Sequence, residues 1–416
     1  MYLQERNLYI NEKNDVMIDL NTYRIFCLTK RMVEALQTED GITDFDEDET
    51  LVWDKIHEQR NENSEEPSGF DTIKIHVSNL CNLSCKYCYA EGGNYGSKEA
   101  VMKKNVMDEI VDMIEQRDEF KNIKYITFFG GEPLLAWKNI RYICEQTKHK
   151  NMKYLLQTNG TVINDDIVEL LKEYNITVTV SLDGPQHIHD YNRVDKHGNG
   201  TFEEVMKNIQ YMQKEGIRIA AIQATISSEF ARDYKKSEVA DWIYQMTGVR
   251  RIKVEHDITG DTELADNMQE ETETFFEGVF QEKYILDNDA FKIVSVILQK
   301  RYKDFLCSAG NRILTADVTG RLYPCQLFLG NKVMCLGKAG EELHTQPMDL
   351  LRKSKKVDCK NCFAKSTCYF CAANKIDEKK CELRRELTEH VLKYITELVY
   401  ADKYLEFYDK FVKLYQ

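Results

Sequence analysis

The sequence predicts an α/β fold: an incomplete barrel of six parallel strands, a small α+β region ahead of it and a cysteine-rich segment behind it. Three observations predict this. From residue 71 to about 257, strand-like and helix-like segments alternate regularly, which implies parallel strands with right-handed crossovers. Polar and glycine-rich motifs fall at successive strand ends, where folds of this kind place their chemistry. Eleven of the 13 cysteines fall in two groups, residues 81–88 and 307–381, a clustering that favours metal ligation over scattered core thiols.

Residues 1–65 come first. Asp15–Leu20 and Tyr23–Leu28 read as a short hairpin around the turn Asn21-Thr22, followed by helices near Lys30–Gln37 and Glu49–Arg60. Asn61–Ser68 is polar and reads as a linker. Apparent barrel strands are 72–78, 124–129, 153–157, 176–181, 217–226 and 250–256. Helices fill the gaps, for example 101–116 and 201–215. Met102, Val106, Ile110, Met113 and Ile114 of the first share one face. The second opens with Thr201-Phe202-Glu203-Glu204, a capping-box pattern. A helical stretch at 262–303 leads to the cysteine-rich segment, and an amphipathic helix of about 382–414 closes the chain with an aromatic packing stripe.

Bulk properties narrow the function. A chain of 416 residues has ample core for two or three domains. With 43% apolar and 30% charged residues it is an ordinary globular sequence. Its net charge of −13, without a local basic run, speaks against a general nucleic-acid or anionic-membrane binder. No apolar run suits a signal peptide or a membrane span, so a cytoplasmic location is expected. Cysteines there are poor candidates for disulfides. Cys27 and Cys144 lie apart in apolar surroundings and read as buried small hydrophobes.

The first strand leads into Cys81-x3-Cys85-x2-Cys88, with Tyr87 before the last cysteine. Three soft thiolates in one loop suit an iron–sulfur cluster and leave one iron open. By spacing alone a zinc site or three free thiols remain alternatives. Phe128-Phe129-Gly130-Gly131-Glu132-Pro133 ends the second strand, Gln157-Thr158-Asn159-Gly160 the third and Ser181-Leu182-Asp183-Gly184-Pro185 the fourth. His189-Asp190-Tyr191-Asn192-Arg193 follows. Glycines admit close backbone approach, a carboxylate can hold an ammonium group, and a guanidinium suits a carboxylate. Together these motifs resemble the radical S-adenosylmethionine (SAM) enzymes.

The resemblance implies a partial (β/α)6 TIM-like barrel. Cys81, Cys85 and Cys88 then hold a 4Fe-4S cluster whose open iron chelates SAM. An electron splits the sulfonium, and the 5′-deoxyadenosyl radical abstracts hydrogen. Gly130, Gly131 and Glu132 meet the SAM amino group, and Arg193 meets its carboxylate. Ser181 contacts ribose or carboxylate, Tyr87 lies against adenine, and Gln157 and Asn159 complete the pocket. His187, His189 and His256 lack metal-site spacing and are read as surface or supporting residues. No catalytic base is identified; Glu255 and Asp257 lie near the sixth strand's end.

The second cysteine group runs Cys307-x12-Gly320-x4-Cys325, then Cys359-x2-Cys362-x5-Cys368-x2-Cys371 and Cys381. Two zinc sites would fit such spacing. The cassette resembles the SPASM domain of peptide-modifying radical SAM enzymes. It departs by one residue, with only Tyr369 and Phe370 between Cys368 and Cys371. Family order gives Cys307, Cys325 and Cys371 to one auxiliary cluster and Cys359, Cys362, Cys368 and Cys381 to another. The expectation is three 4Fe-4S clusters with SAM. The first auxiliary cluster lacks a fourth ligand, because residues 295–306 contain no cysteine; either Cys335, in the strand-like Lys332–Leu336, supplies it or the iron is open. An open iron could bind a substrate thiol, as in thioether-forming sactipeptide and ranthipeptide maturases.

The expected function is therefore hydrogen abstraction from a ribosomally made precursor peptide and closure of a Cys thioether. Carbon–carbon cross-linking and formylglycine formation share the scaffold, and a non-enzymatic zinc-binding protein is the rival class. Expected partners are a precursor peptide with a leader and an electron donor of the flavodoxin or ferredoxin type. The N-terminal region is either a reduced leader-recognition element or a cap on the barrel.

Overall fold

A computed structural model describes residues 1–3, 7–38, 44–58, 69–257, 268–300, 304–374 and 377–415. Strands β1 (Tyr2–Leu3), β2 (Leu8–Asn11), β3 (Val16–Asp19) and β4 (Arg24–Cys27) form an antiparallel sheet in sequential order. The predicted hairpin is β3–β4, with Asp19 opposite Arg24; β1 and β2 are not legible in the sequence. Cys27 ends the edge strand and is exposed, which corrects the expectation of a buried thiol. Cys144 is fully buried. Helix α1 (Lys30–Gln37) starts on the Thr29 hydroxyl, and α2 (Glu47–His57) on a capping box between Asp46 and Glu49. The predicted linker Asn61–Ser68 lies outside the described residues.

The barrel follows as β5 (Thr72–Ser78), α3 (Lys104–Gln116), β6 (Tyr125–Gly130), α4 (Trp137–Thr147), β7 (Lys153–Thr158), α5 (Asp165–Glu173), β8 (Thr177–Ser181), α6 (Gln186–Asn192), α7 (Phe202–Lys214), β9 (Ile219–Ile226), α8 (Lys236–Thr247) and β10 (Arg251–His256). The six strands pair in parallel in chain order. Alternation explains the layers. Ile73, Ile75 and Val77 are fully buried against the helix layer, while Lys74 faces the cavity on the other side of β5. Val106, Met107, Ile110, Met113 and Ile114 form the buried stripe of α3.

Thr201 does not cap α7 with its side chain. Its hydroxyl donates to the Arg193 carbonyl at 3.0 Å, and Asp190 accepts from the Phe202 N–H at 2.8 Å instead. The capping pattern is thus overridden by a tertiary contact that ties α6 to α7.

Beyond β10 come α9 (Met268–Phe280), β11 (Ile285–Leu286), α10 (Asp289–Gln299), β12 (Ile313–Ala316) and β13 (Leu322–Tyr323). The predicted helical stretch is therefore split by β11. β11 adds in parallel to β10, and β12 adds in parallel to β5, with β13 antiparallel beside it. Among the described residues the sheet has nine strands, with β11 and β13 at opposite edges, so the barrel is open. Lys332–Leu336 is a turn rather than a strand: the Asn331 side chain accepts from Val333 N at 2.9 Å.

After α11 (Gln346–Asp349), the predicted closing helix is two helices, α12 (Glu378–Tyr400) and α13 (Tyr404–Tyr415). Asp402 takes a left-handed φ of 56° between them. The break folds Phe407 and Phe411 back onto Phe275, 6.4 and 6.3 Å between ring centroids. Tyr9, Ile18, Leu20 and Tyr23 of the N-terminal sheet belong to the same core as α9, α10, α12 and α13. No helix among the described residues is long and apolar enough to cross a membrane.

Candidate active site

The loop after β5 is stitched to the end of β6. Gly131 N donates to the Ser78 carbonyl at 3.1 Å and Glu132 N to the Leu80 carbonyl at 2.7 Å. A Cβ on Gly130 would lie 2.0 Å from the Ser78 oxygen, and one on Gly131 would lie 2.3 Å from the Leu80 oxygen. The two glycines are therefore required by backbone packing against backbone, a reason beyond the ligand approach expected of them. On its other side the cysteine loop is held by Ser84 N and Lys86 N, which donate to the Val194 and Asn192 carbonyls at 2.8 and 2.9 Å.

Cys81, Cys85 and Cys88 border a cavity of about 580 Å³, shared with Tyr87, Gly130, Gly131, Gln157, Asn159, Ser181 and Arg193. Glu132 is not on its wall. Its fully buried carboxylate accepts from Asn159 N at 2.7 Å, the Thr158 hydroxyl at 2.8 Å and Leu134 N at 3.0 Å. The carboxylate joins the ends of β6 and β7. Burial pushes its acid up to about 7.

Arg193 is also engaged. Its Nε lies 3.1 Å from Asp183 Oδ2, and its guanidinium lies 5.4 Å from the Tyr87 ring centroid. The Tyr87 hydroxyl donates to the same Asp183 oxygen at 2.5 Å, while Oδ1 accepts from Thr225 N at 3.0 Å. Asp183 is fully buried, so one carboxylate positions Tyr87 and Arg193 together. His189, also fully buried, sits behind it and is held uncharged by burial, its acid lowered to about 4. Gln157 donates to Gln223 at 2.9 Å, and Asn159 to Asn82 at 3.0 Å. His187 is exposed and pairs with Tyr234 at 2.8 Å.

Cys307, Cys325 and Cys371 border the same cavity. Tyr89 lies within electrostatic reach of Cys88, Cys325 and Cys371. Cys335 is not on the wall; its thiol reaches the Gly337 carbonyl at 3.7 Å. Cys368 parts from Cys371 and lies near Cys359 and Cys362, and Cys381 lies near Cys362. Among the described residues no three His, Cys, Asp or Glu side chains close in on a single-ion site. The thiols instead line a common space.

Burial pushes Cys81 up to about 12 and Cys325 up to about 11. As bare thiols they are protonated near neutrality; a bound cationic metal group is what would hold them as thiolates. The donor sets thus fit iron–sulfur groups at Cys81, Cys85 and Cys88 and at Cys307, Cys325 and Cys371.

The opposite wall was largely missed by sequence reading. Lys253, Glu255, His256 and Asp257 of β10 and the residue after it border the cavity, as do Asp289, Lys292, Tyr369 and Arg384. Lys292 pairs with Asp289 at 2.7 Å and with Glu255 at 3.7 Å, and Arg384 pairs with Asp289. Lys74 donates to Gln326 at 3.1 Å. Inward alternation along β5 and β10 was the available signal for Lys74 and Lys253. Nothing in the sequence links Asp289 to Arg384.

Residues 75–227, from β5 to β9, match the Radical SAM superfamily. Over that span the chain resembles a radical SAM domain. The chain is 28% identical over 306 residues to an uncharacterized protein of Methanocaldococcus jannaschii, covering 71% of this chain and 96% of that one. It is 30% identical over 202 residues to the radical SAM cyclopropyl synthase TigE of Paramaledivibacter caminithermalis, covering 45% and 42%. It is 36% identical over 147 residues to a cysteine-type anaerobic sulfatase-maturating enzyme of Clostridium novyi, covering 33% and 39%.

The match thus spans about two-fifths of the length of these two relatives of named activity. Among solved structures, native anSMEcpe with bound AdoMet and Kp18Cys peptide superposes with a TM-score of 0.63 at 20% identity, covering 80% and 99%. Streptococcus suis SuiB bound to precursor peptide SuiA gives 0.53 at 15%, covering 89% and 95%. At these identities the structures speak for the fold. Over part of its length the chain is thus similar to radical SAM enzymes, a cyclopropyl synthase and a sulfatase-maturating enzyme among them.

Proposed function

We propose that this chain is a radical SAM enzyme that matures a ribosomally made precursor peptide by closing a thioether between a substrate carbon and a substrate Cys sulfur. The observation that carries the reading is the single cavity of about 580 Å³ bordered by both three-cysteine sets, with Cys335 outside it. Its size falls within the roughly 300–1,000 Å³ of small-molecule sites. When bound, the cluster and SAM supply a 5′-deoxyadenosyl radical that removes a hydrogen atom from a nearby carbon.

Cys81, Cys85 and Cys88 would hold that cluster. Asp183 sets Tyr87 and Arg193 beside it. Cys307, Cys325 and Cys371 would hold a second cluster one ligand short, open to a substrate thiol. Cys359, Cys362, Cys368 and Cys381 would hold a third. In the net reaction the carbon gives up a hydrogen atom to the radical. The thiol gives up a proton. The carbon–sulfur bond forms, and one electron is left for an acceptor. A leader peptide held elsewhere on the chain would raise the effective concentration of the core peptide. An electron donor of the flavodoxin or ferredoxin type would supply the reducing equivalent.

The relatives named as sulfatase-maturating enzymes, and the fold shared with structures that hold peptides, support a peptide substrate. Anaerobic turnover with candidate Cys-containing peptides, read by mass spectrometry, tests the product. The expected result is loss of two hydrogens with one thiol protected from alkylation. Loss of two hydrogens with every thiol still alkylated means a carbon–carbon bond, and a formylglycine product means sulfatase maturation; either defeats the thioether. Zinc without iron or labile sulfide would defeat the enzyme reading altogether.

A further inference from the structure

We infer that the surface around Cys359 and Cys362 is a docking face for a small acidic electron-carrier protein. The inference rests on the proposal that Cys359, Cys362, Cys368 and Cys381 hold an iron–sulfur group. The chain as a whole carries a net charge of −13, yet residues 352–365 hold Arg352, Lys353, Lys355, Lys356, Lys360 and Lys365 against the single acid Asp358. Some of that charge is engaged. Arg352 pairs with Asp304 at 3.3 Å, and the buried Lys353 ammonium donates to the Lys365 carbonyl at 2.7 Å.

Lys355, Lys356 and Lys360 differ: each lacks a carboxylate partner among the described residues. Lys355 and Lys360 are exposed. Val357 stands among them with 82% of its surface exposed, the most exposed large hydrophobic side chain among the described residues. Two short 3₁₀ turns, Lys353–Lys355 and Val357–Cys359, carry this apolar tip and its cations directly beside the half-buried Cys359.

An apolar centre rimmed by unneutralised charge is the chemistry of a brief redox encounter. Such interfaces are small, under about 1,200 Å², and gain their rate from charges that steer the partner. The sign selects an acidic partner. The thiol loop after β5 offers no equivalent: its exposed Lys86 is committed to the Tyr191 ring, 3.1 Å from the centroid. A nucleic acid would sense the same charges, but the exposed valine at the centre favours a protein surface.

The test is the affinity of the iron-loaded full chain for an acidic flavodoxin at low and high salt. Lys355→Glu/Lys356→Glu/Lys360→Glu is expected to weaken binding about tenfold or more at low salt, and high salt should erase the difference. Val357→Asp should also weaken it, while Lys86→Glu should not. Three results overturn the inference: the triple variant binds as the parent does, Lys86→Glu weakens binding as much, or short duplex DNA competes fully at this face. Iron and sulfide content of the same samples reports separately on the iron–sulfur reading. Too little iron for a group at the four cysteines sinks that reading whatever the affinities are.

Discussion

Gly131 leaves no room for a side chain. A Cβ there would meet the Leu80 carbonyl oxygen at 2.3 Å and its carbon at 2.6 Å, both backbone atoms. Gly131→Ala should therefore push the Cys81 loop away from β6 while the barrel survives. The expected outcome is loss of iron at that loop and of deoxyadenosine release, with unchanged far-ultraviolet circular dichroism; full iron content would show that the loop can yield. Cys335 predicts the opposite. Its thiol hydrogen-bonds a carbonyl, at 3.7 Å, and packs at the edge of a small apolar cluster, so Cys335→Ala should cost about 1 kcal/mol and leave cluster absorbance intact. A drop in absorbance would make Cys335 a ligand.

Glu132 gives a pH signature. Burial raises its acid from 4.5 to about 7, so the folded chain favours the protonated form. The resulting stabilisation is full below pH 4.5 and is lost as pH rises through 7, by on the order of 3 kcal/mol. Thermal melts across that window should show a slope that Glu132→Gln flattens. The variant should also be less stable throughout, because an amide nitrogen would face N–H donors.

At the scale of elements, what the sequence revealed were features set by local periodicity. Strand β5 is predicted at its observed bounds, and Lys30–Gln37 likewise, because both patterns are written within a few residues. The strand-end motifs were found for the same reason. What stayed hidden depends on contacts far apart in the chain. The Glu132 carboxylate turns inward because Thr158 and Asn159 wait on the next strand. Lys74 is held by Gln326, 252 residues away. The α12–α13 break exists because Phe407 and Phe411 dock on α9, which no helical periodicity in 378–415 announces. Phe407→Ala should cost about 3–5 kcal/mol in urea unfolding. Leu405→Ala, at a position 72% exposed, should fall within about 0.5 kcal/mol. Equal effects would mean that α13 does not pack as described.

At the scale of the whole molecule, the two ends of the chain form one core. The buried Asn11 amide donates to the Thr396 hydroxyl at 2.9 Å, and the Tyr23 hydroxyl to the Ser366 carbonyl at 3.0 Å. The second bond fixes the N-terminal sheet to the segment that carries Cys362 and Cys368. One face of that sheet is buried on α12 and the other against α1 and α2, so only its strand edges remain for a peptide to extend. A detachable leader-binding module and an integral part of the fold then make different forecasts for a chain lacking residues 1–38. If the sheet were only a module, the truncated enzyme would melt like the parent and lose only its grip on the peptide. The shared core argues otherwise. Removal exposes the apolar face of α12, so the truncated chain should melt well below the parent and hold less iron at the proposed ligands Cys359, Cys362, Cys368 and Cys381. An unchanged melting temperature with full iron would return the N-terminal region to the role of an appended module.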